Sequence, residues 1–448
     1  MKNKVVLTLL LLVGLLQAQE QKQTYSFSLQ QAIDHALQNN YAAINANRDI
    51  DAAKQKKWET TAAGLPQISG SASYLNNFDF TLQGISGNAF NPAASPDDIS
   101  LVAFGTKQSM NSSLTLSQLL FDGSYIVALQ ASKTYLKYYE NAKQKSNTEI
   151  REMVINSYGN VLLAQESIAI LEKNKATLSK TLSDTKETYK NGLIEEENVE
   201  QLQITLASIE SNLNNTKRLA TVANKMLKFT LGIELNSDLT LTDQLDSLSI
   251  SNLDLALSQS GFEVTNNINY QMASNFQEQR SLELKLQKSK ALPTLAAAIN
   301  FGYNSFANDF SFADSKQKWN KFSNLGVSLS VPIFSSFGRS AKTQQAKIAF
   351  EQAKTQLTQT EQQLKLAYEK AKSEYEFSIE EYATSKSNLN LAERIEKKQQ
   401  IKFTEGLSSS FDFSEAQRQL YTAQQNYLQS MVNIINKKAA LEKIINKN

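Results

Sequence analysis

The chain has 448 residues, a formal net charge of +2 and no cysteine. The absence of cysteine excludes disulfides, thiolate metal sites and a lipid-anchoring cysteine, and the small net charge does not suggest a nucleic-acid or polybasic membrane role. Only 15 glycines and 5 prolines occur, so long uninterrupted secondary-structure elements are expected.

The N-terminus has the pattern of a secretory signal peptide. Two lysines within residues 1–4 precede an apolar run over residues 5–16, and a small residue, Ala18, follows. The run is shorter than the about 20 residues that a membrane-spanning helix needs. We therefore expect residues 1–18 to be a signal peptide cleaved near Ala18; the alternative is a buried N-terminal helix. The remaining sequence predicts no membrane-spanning helix, which leaves an exported soluble protein or a β-barrel.

Short segments that recur in the same order indicate an internal duplication. The matching segments are Ser117 to Phe121 with Ser330 to Phe334, Tyr189 to Leu193 with Phe403 to Leu407, and Leu65-Pro66 with Leu292-Pro293. Their offsets are 213, 214 and 227 residues. We assign the first repeat to residues 19–232 and the second to residues 233–448. Each repeat is expected to contain a helix, a strand pair, a very long helix, a turn and a second long helix.

Helical periodicity dominates both repeats. Ser28 suits an N-cap, and the helix that it starts is predicted to run to about residue 61. Residues 124–189 contain no proline and carry two interleaved seven-residue series of mostly apolar residues, as in a coiled-coil seam, and a similar pattern follows residue 346. Gly192 and Gly406 each stand where a helix C′ glycine belongs, so each is predicted to form the tip of a helical hairpin. Return helices are expected over about 195–229 and 410–445.

Four stretches alternate between apolar and small polar residues with a period of two. We predict strands over residues 67–80, 110–121, 294–305 and 322–334. One apolar and one small polar face indicate strands of a membrane β-barrel with a water-filled lumen, although a soluble sheet packed on the helices has the same period. The loops over about 81–109 and 306–321 carry aromatic residues suited to a membrane interface, among them Phe90, Phe104, Phe306, Phe310, Phe312 and Trp319.

Four strands are too few to close a membrane barrel, because known barrels start at about eight strands. An open sheet edge in lipid leaves backbone groups without hydrogen-bond partners, at several kcal/mol each. If the strands lie in the membrane, several copies of the chain must therefore share one barrel. The sequence alone leaves two, three or four copies open.

Together these features resemble the TolC-like outer-membrane efflux protein family. The resemblance implies an α+β membrane protein: a homotrimer with a twelve-strand outer-membrane barrel, continuous with a long coiled-coil periplasmic tunnel. It also implies an equatorial belt, for which residues 233–262 are the candidate. The partners implied are a periplasmic adaptor protein, an inner-membrane pump and outer-membrane lipid. The adaptor is expected to dock at the hairpin tips, Gly192, Leu193, Gly406 and Leu407.

The resemblance further implies an iris at the periplasmic tip, with acidic residues after the second tip glycine. The matching positions are Asp412 and Glu415. The family's lock uses a tyrosine, an arginine and an aspartate at positions that hold Phe403, Ser408 and Asn198 here, so this lock is expected to be absent or built differently. Taken by their positions alone, Asp412 and Glu415 equally suit a helix start, where the helix dipole favours carboxylates.

Two other functional classes were weighed. An exported structural or adhesive coiled coil accounts for the signal peptide and the heptads, but not for the lumen-like strands. An enzyme is not expected, because the single histidine, His35, lies on a predicted helix among polar neighbours and is interpreted as a surface residue. Neither a nucleophile elbow nor a phosphate loop appears, and no cofactor or metal is expected.

Overall fold

The computed structural model describes residues 24–89, 91–93, 95–258 and 261–446. The α-helices of this part of the chain are α1 (Leu29–Asn39), α2 (Tyr41–Ala62), α3 (Gly123–Lys190), α4 (Glu196–Leu231), α5 (Leu245–Ser251), α6 (Leu255–Ser258), α7 (Ile268–Ser289), α8 (Gly338–Thr404) and α9 (Ser410–Ile445). The strands are β1 (Thr24–Phe27), β2 (Gln67–Asn76), β3 (Leu82–Ser86), β4 (Ile99–Ala103), β5 (Gln108–Asp122), β6 (Asp238–Leu241), β7 (Thr294–Ala307) and β8 (Asn320–Ser330). The signal peptide expected at residues 1–18 and the loop residue Phe90 lie outside the described residues.

The chain divides into two compact units. The helical unit comprises the residues up to Asp51, Tyr138–Asn275 and the residues from Thr355 onward. The sheet unit comprises Ala52–Lys137 and Phe276–Lys354. Among the described helices, we find none that is both long enough and apolar enough to cross a membrane.

The sheet unit is built on one antiparallel sheet with the strand order β2-β5-β7-β8. Side chains alternate between the two faces along each strand, so residues opposite each other share a face. One row across the sheet is apolar and the next is polar: Ile68, Leu116, Ile299 and Leu325, then Ser69, Thr115, Asn300 and Asn324. In the polar row, Thr115 donates to Asn300 over 2.8 Å and Asn300 donates to Asn324 over 3.0 Å. The sheet therefore has one apolar and one neutral polar face.

The predicted strand ends differ from the observed ones. β8 ends at Ser330 rather than at residue 334, and β2 ends at Asn76 rather than at residue 80. Beyond β8, Pro332 has no N–H to donate to a ladder, and Ser336 and Phe337 have positive φ values of 48° and 62° that turn the backbone into α8. β5 and β7 are slightly longer than predicted.

The two loops that join the strand pairs are more ordered than expected. Within the predicted loop over residues 81–109, β3 and β4 form a separate antiparallel hairpin. In the other loop, Phe312 is buried against Tyr74, with ring centroids 5.9 Å apart, while Phe310 remains exposed. The aromatic residues of these loops thus include buried packing contacts as well as candidates for a membrane interface.

The helical unit has a core drawn from both repeats. Pairs of core positions on α3 and α8 lie 214 residues apart, and both members are buried: Ile150 with Leu364, Val154 with Tyr368, and Leu178 with Ala392. The return helices α4 and α9 have the same length, 36 residues. These matches place the duplication on a constant offset through both hairpins.

The predicted first helix is not continuous, because it breaks at Asn40. Asn40 has an extended backbone, with φ −62° and ψ 138°, and separates α1 from α2. The break lies beside Gly232, where an added Cβ would stand 2.1 Å from the carbonyl oxygen of Asn39. Gly232 also has a φ of 75°, so this close approach of two backbones requires glycine.

The equatorial candidate, residues 233–262, contains β6, α5 and α6. β6 pairs in parallel with β1, which lies more than two hundred residues earlier in the chain. Tyr158, fully buried on α3, holds this region by donating to the carboxylate of Asp243 over 2.9 Å or to the carbonyl of Phe27 over 3.0 Å. Burial raises the pKa of the Tyr158 hydroxyl, so it stays protonated as a donor.

Candidate functional site

Both hairpin tips close with the same backbone motif. Gly192 has a φ of 72° and Gly406 a φ of 71°, as predicted from their positions at the ends of the long helices. The next residue at each tip donates its N–H back to the helix, Leu193 to Thr188 and Leu407 to Lys402. Together with the 5→2 hydrogen bonds of the two glycines, these bonds form a Schellman motif at each tip.

The leucine after each tip glycine has no packing role of its own. Leu193 is 75% exposed and Leu407 is 76% exposed. Both line one open cavity of about 1110 Å³ between the two tips, together with Phe403 and charged side chains such as Lys180 and Glu195. An apolar residue held in water at the end of a rigid hairpin, with charges around it, is suited to contact another protein.

Asp412 is a helix-capping residue. It occupies the third position of α9, where its N–H donates to the Ser409 hydroxyl over 3.1 Å, while the Ser409 N–H and hydroxyl donate to its carboxylate. This reciprocal capping box satisfies two backbone donors of the helix start. The helix-start interpretation of Asp412 therefore has direct geometric support, and the carboxylate keeps its charge there.

Glu415 lies one turn further along α9 and forms an ion pair. The Arg418 guanidinium donates to it in a bidentate arrangement, with distances of 2.8 Å from Nε and 2.6 Å from Nη2. Gln419 adds a third hydrogen bond of 3.1 Å. The Arg418 contact holds the pKa of Glu415 below its usual value. Because Arg418 offsets its charge, Glu415 contributes less negative field than Asp412.

The two tips of one chain touch through neutral groups. The Asn198 side-chain oxygen accepts a hydrogen bond of 3.2 Å from the N–H of Ser410 at the start of α9. Phe403 stacks on the fully buried Phe413, with ring centroids 5.4 Å apart and an angle of 10° between the planes. The Ser408 hydroxyl is buried and has no hydrogen-bond partner in the described part of the chain. The sequence placed Asn198, Ser408 and Phe403 at lock positions but could not show these contacts.

His35 is not the surface residue that the sequence suggested. Its ring packs against Phe27 and Tyr25, with centroids 5.0 Å and 5.8 Å away, and its Nε2 is buried without a partner. Burial lowers the pKa of His35. Within the described residues, no group of acidic residues and histidine is arranged to hold a metal ion.

Comparison with known proteins identifies the relatives of this chain. Residues 265–447 match the protein family described as "Outer membrane efflux protein". The chain is 22% identical to the outer membrane protein TolC of Vibrio cholerae serotype O1 over 401 residues, which cover 89% of this chain and 86% of that protein.

Solved structures of outer-membrane proteins share the fold over nearly the whole chain. The Campylobacter jejuni CmeC outer membrane channel matches with a TM-score of 0.73 at 18% identity, covering 93% of this chain and 85% of its own. VceC from Vibrio cholerae matches with a TM-score of 0.71 at 17% identity, covering 93% and 95%. The family resemblance and the fold class predicted from the sequence are thereby confirmed: the chain is related to TolC-like outer-membrane efflux proteins, which are channels and not enzymes.

Proposed function

We propose that this TolC-like protein is the outer-membrane channel component of a tripartite efflux or type I secretion system. It serves as a passive duct for small molecules or proteins across the periplasm and the outer membrane. Three copies share one twelve-strand barrel, and an adaptor protein and an inner-membrane pump complete the assembly. The energy for export comes from the pump.

The observation that carries this proposal is the four-stranded sheet with two open edges. β2 and β8 are the outer strands, and each pairs on one side only within the described residues. Large apolar side chains on the sheet are exposed in the single chain, for example Ile68 at 76% and Leu325 at 68%. Lipid covers such a face, and further strands satisfy such edges, when copies join edge to edge around a lumen lined by the neutral polar face.

At the hairpin tips, we propose that the exposed Leu193 and Leu407 contact the adaptor. The Schellman motifs of Gly192 and Gly406 fix where these leucines point, so the tip is a rigid docking element. Near the second tip, we propose that Asp412 and Glu415 line the closed pore. Three copies then contribute six carboxylates, of which those of Glu415 are offset by Arg418, and the ring favours cations.

The experiment that tests the duct is conductance of the detergent-extracted protein in planar bilayers, combined with fractionation of the membranes. We expect heat-modifiable migration, recovery with the outer membrane and discrete conductance steps. A protein that leaves the cell surface in soluble form and never conducts would instead support an exported structural or adhesive coiled coil.

A further inference from the structure

The two return helices are equivalent position by position. α4 and α9 both contain 36 residues and start 214 residues apart. Each is followed by a residue in the left-handed conformation, Gly232 with φ 75° and Asn446 with φ 56°. The buried pairs on α3 and α8 keep the same offset, so a contact in one repeat can be transferred to the other residue by residue.

One ion pair joins the return helix of the second repeat to the long helix of the first. Lys443, in the last turn of α9, donates to Glu152 on α3 over 2.8 Å. Their side chains are only 33% and 26% exposed, so the contact lies within a packed junction. This junction is made inside one chain.

The residues at the equivalent positions are apolar and exposed. Phe229 corresponds to Lys443 and is 62% exposed, while Leu366 corresponds to Glu152 and is 72% exposed. Phe229 belongs to an apolar stripe of α4 with coiled-coil spacing: Leu219, Val222, Met226 and Phe229, each more than half exposed. Tyr41 continues this patch, with its ring 5.9 Å from that of Phe229.

Next to this pair, the exchange of chemistry runs the other way. Ile155 and Ala439 are buried and line one small cavity together with Glu152 and Lys443. Their equivalents, Glu369 and Lys225, carry opposite charges and are both exposed. Neither forms an ion pair in the part of the chain that the structure describes. At each of the two places, the residues that replace an in-chain contact pair are therefore complementary to each other.

We propose that Phe229 of one copy packs against Leu366 of a second copy, as the between-copy counterpart of the Lys443–Glu152 contact within the chain. Glu369 and Lys225 form an ion pair beside this contact. The proposal rests on the trimer proposed above, because repeating the same repeat-to-repeat contact around a ring requires a second chain at every second junction. The junction within a chain is then held by charge, and the junction between chains is held by apolar burial.

Thiol crosslinking tests this pairing, because the chain has no cysteine of its own. In the Phe229→Cys, Leu366→Cys double variant, a short bismaleimide is expected to give bands of two and three linked chains on a denaturing gel. The Glu152→Cys, Lys443→Cys variant is the matched control and is expected to link within one chain, without such bands. Each single-cysteine variant is expected to give no band of three chains.

An amine-reactive crosslinker applied to the same samples separates this proposal from the proposed function. Trimers captured through amines, without bands from the Phe229→Cys, Leu366→Cys variant, would overturn the pairing and leave the channel intact. Failure to capture trimers by either reagent would contradict the proposed assembly itself.

Recreating the in-chain pair between copies gives an independent check. Phe229→Lys or Leu366→Glu alone is expected to lower the fraction of trimer, because each puts an unpaired charge into an apolar contact. The double variant restores the charge pair and is expected to recover much of the trimer. A double variant at least as defective as the worse single variant would count against the contact.

Discussion

Asn40 and Asn267 make the same pair of hydrogen bonds at the start of α2 and of α7. The side-chain nitrogen of Asn40 donates to the Thr230 carbonyl over 2.7 Å, and that of Asn267 donates to the Ile444 carbonyl over 2.8 Å. Each side-chain oxygen accepts from the N–H two residues further on, at 2.8 Å. Each asparagine therefore caps its own helix and, through the last turn of a return helix, joins two helices end to end.

The joint at Asn40 is expected to stabilise the helical unit. Asn40→Ala removes both the cap and the bond to the Thr230 carbonyl and should lower the free energy of unfolding by about 1–3 kcal/mol. Asn40→Ser keeps a cap but cannot reach Thr230, so it should show an intermediate loss. Asn47→Ala, at an exposed position of the same helix, is the control. Thermal unfolding in detergent measures these differences, and equal stability of Asn40→Ala and Asn47→Ala would contradict the account.

The tip glycines are expected to tolerate only residues that accept positive φ. Gly192→Val and Gly406→Val place a β-branched residue at φ values of 72° and 71° and should disturb the tip without affecting the barrel. Gly192→Asn should be tolerated better, because asparagine adopts this conformation more readily. We expect loss of adaptor binding in a pull-down while trimer assembly is retained. Loss of assembly with adaptor binding unchanged would refute a docking role of the tips.

Substitutions on β8 test which face of the sheet meets lipid. Leu329 lies opposite Leu295, and Ser328 lies opposite Ala296 on the other face. A lysine at position 329 should cost about 2–4 kcal/mol near the membrane midplane, whereas a lysine at position 328 should cost little. Folding titrations into detergent or lipid give the two values. Similar costs at both positions would mean that the polar face does not line a lumen.

Arg418 is expected to weaken the cation preference of the pore. Arg418→Gln frees the Glu415 carboxylate and should shift the reversal potential in a salt gradient further toward cation selectivity. Asp412→Asn should shift it in the opposite direction. Arg394→Gln is the control for removing one positive charge elsewhere. If Asp412→Asn with Glu415→Gln changes neither the reversal potential nor block by a trivalent cation, these residues serve only the start of α9.

His35 is expected to make stability fall on the acid side. Its folded-state pKa is lowered by burial from the ordinary value of 6.5, so the unfolded chain binds the proton more readily. The contribution of neutral His35 is thus complete above about pH 6.5 and is lost as the pH falls below it. His35→Phe should flatten this part of the stability–pH profile. An unchanged profile in this variant would place the acid sensitivity elsewhere.

The sequence predicted the long elements because their signals are repeated many times. Both long helices carry heptads over dozens of residues, and α9 begins and ends where the pattern predicted. The break at Asn40 could not be predicted, since asparagine is only mildly unfavourable inside a helix. The break arises from the packing of Gly232 against Asn39, a contact between distant segments. The pairing of β1 with β6 was missed for the same reason, because each strand has four residues and its partner is remote.

The tip was predicted in outline only. Glycine placement and the acidic residues after it were visible in the sequence, because both are local signals of helix termini. The contacts of Asn198 with Ser410 and of Phe403 with Phe413 join residues of different hairpins, and spacing along the chain does not reveal them. The pairing of Glu415 with Arg418 follows i,i+3 spacing and could have been predicted from the sequence.

The most direct test of the central claim is native mass spectrometry of the detergent-extracted protein. If the four strands of each chain complete a barrel only by joining those of other copies, the folded protein should be a single species of three chains. Unfolding should convert it directly to monomers without a folded intermediate that contains one chain. A stable, folded one-chain species with an intact β-sheet signal would contradict the shared barrel.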